Sequence, residues 1–233
     1  DVPLPIDSKT ALGLIGQLEN LADAAPNHQR VTVVLRYGAD GQAEDSAATT
    51  FEDALRLARA ITSARLQRVK VVSFVQGVIE GHSTLPILAS ETLIVGSNGV
   101  IADASVAEPD GSKADPTITL AYLAIAEQRR LFPAAIVSAL VDPNLELAQV
   151  SKLGGDQVFA AGEELDSLRQ SGQVLDESGW SPAGVPLRLN AKRLRTAQIA
   201  SNIADTLEQA AEILDLAEIH PVSESVVSGQ AEG

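Results

Sequence analysis

The sequence contains no cysteine and no methionine, and its aromatic content is only 3%, with a single tryptophan, Trp180. Without cysteine there is no disulfide framework, no thiolate metal site and no cysteine nucleophile. Histidine is scarce too: His28, His82 and His220 lie far apart and none belongs to a His-x-x-x-His pair, so zinc is not expected. No other metal or cofactor is expected either. Methionine is missing even at position 1, as expected of a processed or excised segment. No apolar run approaches the roughly 20 residues that cross a bilayer, so the chain itself is expected to be soluble. Positive charge is also in short supply: 17 basic against 31 acidic side chains give a net charge of -14. Such a surface repels phosphate backbones and anionic lipid, and nucleic acid is not an expected partner. One basic cluster, Lys192-Arg193-Arg195, reads either as a solvated helix face or as a local anion site.

What is present is an alternation of apolar patterns. Ser8 is placed to cap a first helix carrying Leu12, Ile15, Leu18 and Leu21 at helical spacing, ending near Pro26. Val31 to Leu35 is a continuous apolar run, expected as a strand covered on both faces. A loop is expected from Tyr37 to Thr49. Thr50 with Asp53 then resembles a capping box and opens a helix through about Ser63. Strands are expected at 69–75 and 92–95, with a short helix near Leu85 to Ala89 between them. A helix pair follows, from about Thr119 to Arg130 and from Pro133 through Leu140. Beyond it, Gly154-Gly155 between two short apolar stretches signals a hairpin. A loop holding Trp180 is expected at 178–186, then closing helices near 191–199 and 205–216. Residues 1–220 read as a single domain and 221–233 as a linker or disordered tail. The order of elements favours an α/β layer fold with a mostly parallel sheet, right-handed crossovers and flanking helices, plus a C-terminal β-hairpin and closing helices.

Three stretches, in this order, resemble the ClpP-like, crotonase-fold peptidase domain of NfeD-type membrane-bound serine proteases, related to signal peptide peptidase A. The first is 71–104, where Ala89-Ser90-Glu91 and the run to Gly99 look like the family's segment after the nucleophile helix. The second runs from Ala121-Tyr122 to Val141-Asp142-Pro143, similar to the family's helix pair. The third comprises the hairpin, Gly162-Glu163-Glu164-Leu165, and the stretches from Pro186 and from Ile203, which look like the family's closing motifs. The resemblance spans 31–216. It implies a ClpP/crotonase-like fold, a polypeptide substrate or partner protein, homo- or hetero-oligomers and a downstream membrane domain in the full-length protein. An extracytoplasmic or membrane-associated location is implied as well.

In that family a serine in a sharp turn attacks a peptide carbonyl, a lysine takes its proton, and amides near a Gly-Gly turn hold the oxyanion. Serine needs a base within hydrogen-bond reach, lysine serves only when burial lowers its pKa, and the oxyanion needs aimed donors. Alignment back from Ala89-Ser90-Glu91 places Gly81 at the nucleophile position, with Ser83 two residues later. Glycine has no oxygen to attack with. Ser83 is therefore either a displaced nucleophile or merely the cap of the short helix. Lys113 lies near the family's lysine spacing and is either its base or a loop charge among acidic neighbours. Gly38 and Gly41 stand where the family's oxyanion turn would be, without an adjacent glycine pair and with Asp40 between them; they equally suit tight turns.

The sequence therefore points to a domain whose Ser/Lys dyad and oxyanion turn are degenerate, a non-catalytic scaffold, oligomerisation or peptide-binding module. The alternative is an active serine endopeptidase using a displaced Ser83/Lys113 dyad. Two other enzyme readings stay open. An α/β-hydrolase elbow at Ser83 would want glycine where Leu85 stands, and an acyl-CoA enzyme of the wider crotonase class would also need the missing oxyanion amides.

Overall fold

In the computed structural model, which describes residues 1–26, 29–108, 113–217 and 219–222 apart from the side chains of 40–44, helix α1 (Ser8–Ala24) packs across helix α2 (Phe51–Thr62). Asp7, one residue before the expected cap, accepts the Thr10 amide at 2.7 Å and starts α1. Ser8 is thereby free to bond at long range, and its hydroxyl donates to buried Asp53 at 2.6 Å, tying α1 to the first turn of α2. Thr50 caps α2 as expected and also donates to Asp53.

Strand β1 (Val31–Tyr37) is only half-buried along most of its length, where coverage on both faces was expected. The reason is topological: β1 is an edge of the central sheet. Strand β2 (Val69–Val75) has the fully apolar environment, with every residue buried except Lys70. The expected loop after β1 is instead a 3-10 segment, Ala39–Ala48, entered through Gly38 at φ +72°. Next come strand β3 (Val78–Ile79), helix α3 (Thr84–Leu88), strand β4 (Thr92–Val95) and strand β5 (Val100–Ala102). The helix pair is α4 (Pro116–Arg129) and α5 (Ala134–Val141). Helix α4 starts earlier than expected, because Asp115 accepts the Thr117 amide and Pro116 suits the first helical position. Arg129 donates to the carbonyls of Ala89 at 2.8 Å and Ile61 at 2.6 Å, the ends of α3 and α2, where unpaired carbonyls collect.

The hairpin is present as strands β6 (Leu147–Lys152) and β7 (Gln157–Ala161), joined on the other side of β6 by β8 (Val174–Ser181) in an antiparallel sheet of order β7-β6-β8. Between β7 and β8 lies helix α6 (Glu163–Gln170), whose Arg169 grips Glu146 and Glu177. Trp180 is therefore on a strand end, not in a loop, and it is buried edge-on against Phe159 with ring centroids 4.6 Å apart. The chain closes with β9 (Arg188–Asn190), α7 (Ala191–Thr196), β10 (Ala200–Ile203) and α8 (Leu207–Ile213). The closing helices are shorter than expected because left-handed backbone at Gln198 (φ 59°) and Asp215 (φ 55°) follows their ends and Thr206 caps the start of α8. Residues 223–233 of the expected tail lie outside the described residues.

The central sheet has order β1-β2-β4-β10, all parallel. A smaller sheet, β3-β5-β9, pairs β3 with β5 in parallel and β9 antiparallel. The core joins α1 to α5 with the sheet face carrying Val71, Val75, Leu93 and Val95. This is the expected mixed α/β layout, a mostly parallel central sheet with flanking helices. It sets the turn after β3 and the segment after β1 side by side.

Candidate functional site

The turn is built from β3, Glu80, a single 3-10 turn at Gly81–Ser83 and α3. Gly81 has φ +62°, a conformation that disfavours side chains, and its amide donates to the Asp103 carbonyl at 2.9 Å. A Cβ added here would lie 2.8 Å from Ala47 Cα and 3.0 Å from the Ala47 oxygen. Glycine is thus required twice over, by dihedral angle and by space. The position that the resemblance assigns to the nucleophile cannot accept a serine unless the backbone at Ala47 moves.

Ser83 is fully buried. Its hydroxyl donates to the Ser46 carbonyl at 2.8 Å, so the 2.6 Å contact with Thr49 Oγ1 has the threonine donating; that threonine oxygen accepts the Ile6 amide at 2.8 Å. The result is a relay of fixed direction, from Ile6 N–H through Thr49 and Ser83 to Ser46 C=O. Ser83 does not cap α3 through its side chain. Lys113, by contrast, is exposed, and the structure does not join it to this hydroxyl.

Gly38 lies at the end of β1 and is buried; a Cβ there would come within 2.9 Å of the Gly77 nitrogen, so both its φ and its packing select glycine. Gly41 lies inside the 3-10 segment. That segment folds back on the turn after β3. Ser46 Oγ accepts the Glu80 amide at 3.1 Å, the Ser46 carbonyl takes Ser83, and Ala47 sits on Gly81. Two amides at the turn, of Glu80 and Gly81, therefore already have partners, and an oxyanion there would have to displace them.

His82 is the residue of this turn with the richest surroundings. Its Nδ1 lies 3.1 Å from Tyr122 Oη and its Nε2 3.2 Å from Glu108 Oε1; Thr84 Oγ1 lies 3.3 Å from the same phenol and donates to the Gly81 carbonyl at 2.9 Å. Phe51 packs edge-on to the imidazole at 5.4 Å. Burial pushes the His82 pKa down to about 4 despite the neighbouring carboxylate, so the ring is neutral at neutral pH. Glu108 is shifted upward by burial and then by Asp115, and the Tyr122 phenol upward by burial. With the ring neutral and Glu108 ionised, Nε2–H donates to Glu108 and Nδ1 accepts from Tyr122. Such a chain can hold a proton in either direction, yet it is enclosed, with the His82 side chain 5% exposed. Sequence reasoning named His82 only among three scattered histidines and Tyr122 only within the helix pair, and did not join either to Glu108. The signal that existed was a phenol in the buried stripe Tyr122, Ile125, Ala126, since a buried hydroxyl needs a partner.

Open clefts lie elsewhere. One of about 500 Å³ sits at the carboxyl ends of the central strands, between Arg36, Gly38, Gln76, Asp205 and Glu208. Another, of about 290 Å³, lies beside Trp180. Among the described residues no group of three His, Asp or Glu is placed to hold a metal ion, and no helix is long and apolar enough to cross a membrane.

No family model matches the chain, and no curated protein matches it. Among solved structures it is similar to an enoyl-CoA hydratase from Mycobacterium avium subsp. paratuberculosis K-10, with 18% identity, 92% of this chain and 68% of that one covered, and a TM-score of 0.47. An enoyl-CoA hydratase from Polaromonas sp. JS666 shares 18% identity over 85% of this chain and 63% of that one, with a TM-score of 0.42. An enoyl-CoA hydratase/isomerase from Marinobacter aquaeolei shares 14% over 88% and 65%, also at 0.42. The chain thus spans about two thirds of the length of each. At these identities and TM-scores the likeness assigns no activity.

Proposed function

We propose that this chain is a non-catalytic ClpP/crotonase-type domain, a scaffold with the frame of a serine peptidase that works by associating with polypeptide partners in a membrane-associated assembly. One observation carries the reading: Gly81, at the nucleophile position, is packed backbone to backbone against Ala47. The buried hydroxyl relay through Ser83 supports it, because a serine at 0% exposure whose proton is committed to a backbone carbonyl has neither a base to take that proton nor a path to a substrate. Activity from a displaced Ser83/Lys113 dyad would require the 3-10 segment to lift away and an exposed lysine to enter the core.

Association is supported by α4. Leu120 on this helix is 67% exposed and Ala124, one turn further on, is exposed too, so α4 offers apolar surface on the side away from the core. Sedimentation velocity over a concentration series tests the scaffold role. The expected result is reversible assembly that Leu120→Glu shifts to monomer. A chain that stays monomeric at high concentration, with and without the substitution, argues against it.

A further inference from the structure

The positive charge of this acidic protein is unevenly distributed. Arginines such as Arg30, Arg36 and Arg169 hold carboxylates. Arg188, Lys192, Arg193 and Arg195 lie within two turns of chain on β9 and α7, and none of them pairs with a described acidic residue. The sequence around them is also free of acids, with none between Glu177 and Asp205. A local positive surface therefore stands on a chain of net charge -14.

Two of these four cations, Arg193 and Arg195, are held in place rather than loosely solvated. The Arg193 guanidinium lies 5.6 Å from the Trp180 ring centroid and donates to the Arg188 carbonyl at 3.1 Å. Arg195 is held by the carbonyls of Ala200 and Ser201. Trp180 itself is fixed against Phe159. Ordering these side chains in advance lowers the entropic cost of binding. Between β8 and α7, Trp180, Lys192 and Arg193 line a cleft of about 290 Å³, whose lining adds Ser178, Asn190 and Thr196 as hydrogen-bonding groups; Arg188 lies outside that lining, exposed on β9 two residues before Asn190. Strand β8 is moreover an edge strand among the described residues, paired with β6 on one side, so its other side offers backbone amides and carbonyls to an added strand.

We propose that the β8–α7 cleft is a docking site for an extended, acidic polypeptide segment of a partner protein, with carboxylates at Lys192, Arg193 and Arg188 and its backbone along β8. The charge pattern selects a short acidic peptide over nucleic acid. Duplex phosphates recur about every 1.7 Å along the axis and would run past the patch onto the acidic remainder of the surface. A few carboxylates stay within one Debye length, about 8 Å at physiological salt, of the cations. This inference is independent of whether the β3–α3 turn is catalytic.

Trp180 is the only tryptophan, so its fluorescence reports on this cleft alone. The probe is a blocked glutamate peptide of about four residues, which spans roughly 14 Å when extended and keeps its carboxylates near the cations. The comparisons are an equal-length glutamine peptide, inorganic phosphate and a short single-stranded oligonucleotide. The expected result is a saturable change with the glutamate peptide alone, weakened by salt and about tenfold weaker in Arg188→Gln/Lys192→Gln, the order expected for losing two exposed charge contacts. Both side chains are exposed, so the fold is not at stake. No saturable change, an equal response to phosphate or oligonucleotide, or binding untouched by the double substitution would each overturn the proposal.

Discussion

Ser83 Oγ and Thr49 Oγ1 lie 2.6 Å apart inside the core, and the bonds on either side, to the Ser46 carbonyl and from the Ile6 amide, orient both hydroxyls. A serine that reads as a nucleophile by its place in a strand–turn–helix is in this protein a fastener. It pins the segment after β1 and the chain before α1 to the start of α3.

Ser83→Ala should therefore act on stability and not on activity. It leaves the Ser46 carbonyl and the Thr49 hydroxyl short of a partner in a buried site, at a cost of about 1–3 kcal/mol. Urea unfolding measures this, and a change within experimental error would show that the relay does not hold the core.

Gly81→Ala and Gly81→Ser should both destabilise the fold. Left-handed backbone costs an ordinary residue about 1–2 kcal/mol, and displacing Ala47 adds to that. Thermal unfolding is the readout. If Gly81→Ser were as stable as the wild type, the segment carrying Ala47 would be free to move and the site only nominally closed.

The pH dependence should carry the mark of His82. Its folded pKa of about 4 lies below the ordinary 6.5, so between these values the unfolded chain binds a proton that the folded chain refuses. The contribution is complete above pH ~6.5 and is lost as pH falls toward ~4, with a slope of about 1.4 kcal/mol per pH unit at most. Glu108 is shifted the other way and contributes oppositely, favouring the fold at low pH and losing that effect as pH rises through its folded pKa. His82→Gln removes the first contribution while keeping a group that can donate to Glu108. The stability advantage of wild type over this variant should shrink from pH 7 to pH 4; a constant advantage would mean that His82 is not held neutral.

Much of the frame was legible because its pattern is local. The run at β2 is apolar at nearly every position, Thr50 and Asp53 make a capping box visible over three residues, and β4 begins and ends where its apolar run does. The site was legible only in what it lacks. That Gly81 stands where the resemblance would place a serine could be read from register, but not that Ala47 fills the space, because Ala39–Ala48 has little apolar periodicity and takes its shape from contacts with the β3–α3 turn. Likewise, the bond from His82 to Tyr122 joins residues 40 positions apart. The displacement from Ser8 to Asp7 at the start of α1 has a similar origin: both can cap, and the distant Asp53 claims the serine.

The most direct measurement is intact-mass analysis of the folded protein after prolonged exposure to a fluorophosphonate, which forms a covalent ester with a serine activated by a nearby base. Ser83 sealed between Thr49 and Ser46 should give no adduct, at neutral or alkaline pH. A stoichiometric adduct on Ser83 that disappears in Ser83→Ala would contradict the account and return the chain to the active serine peptidases.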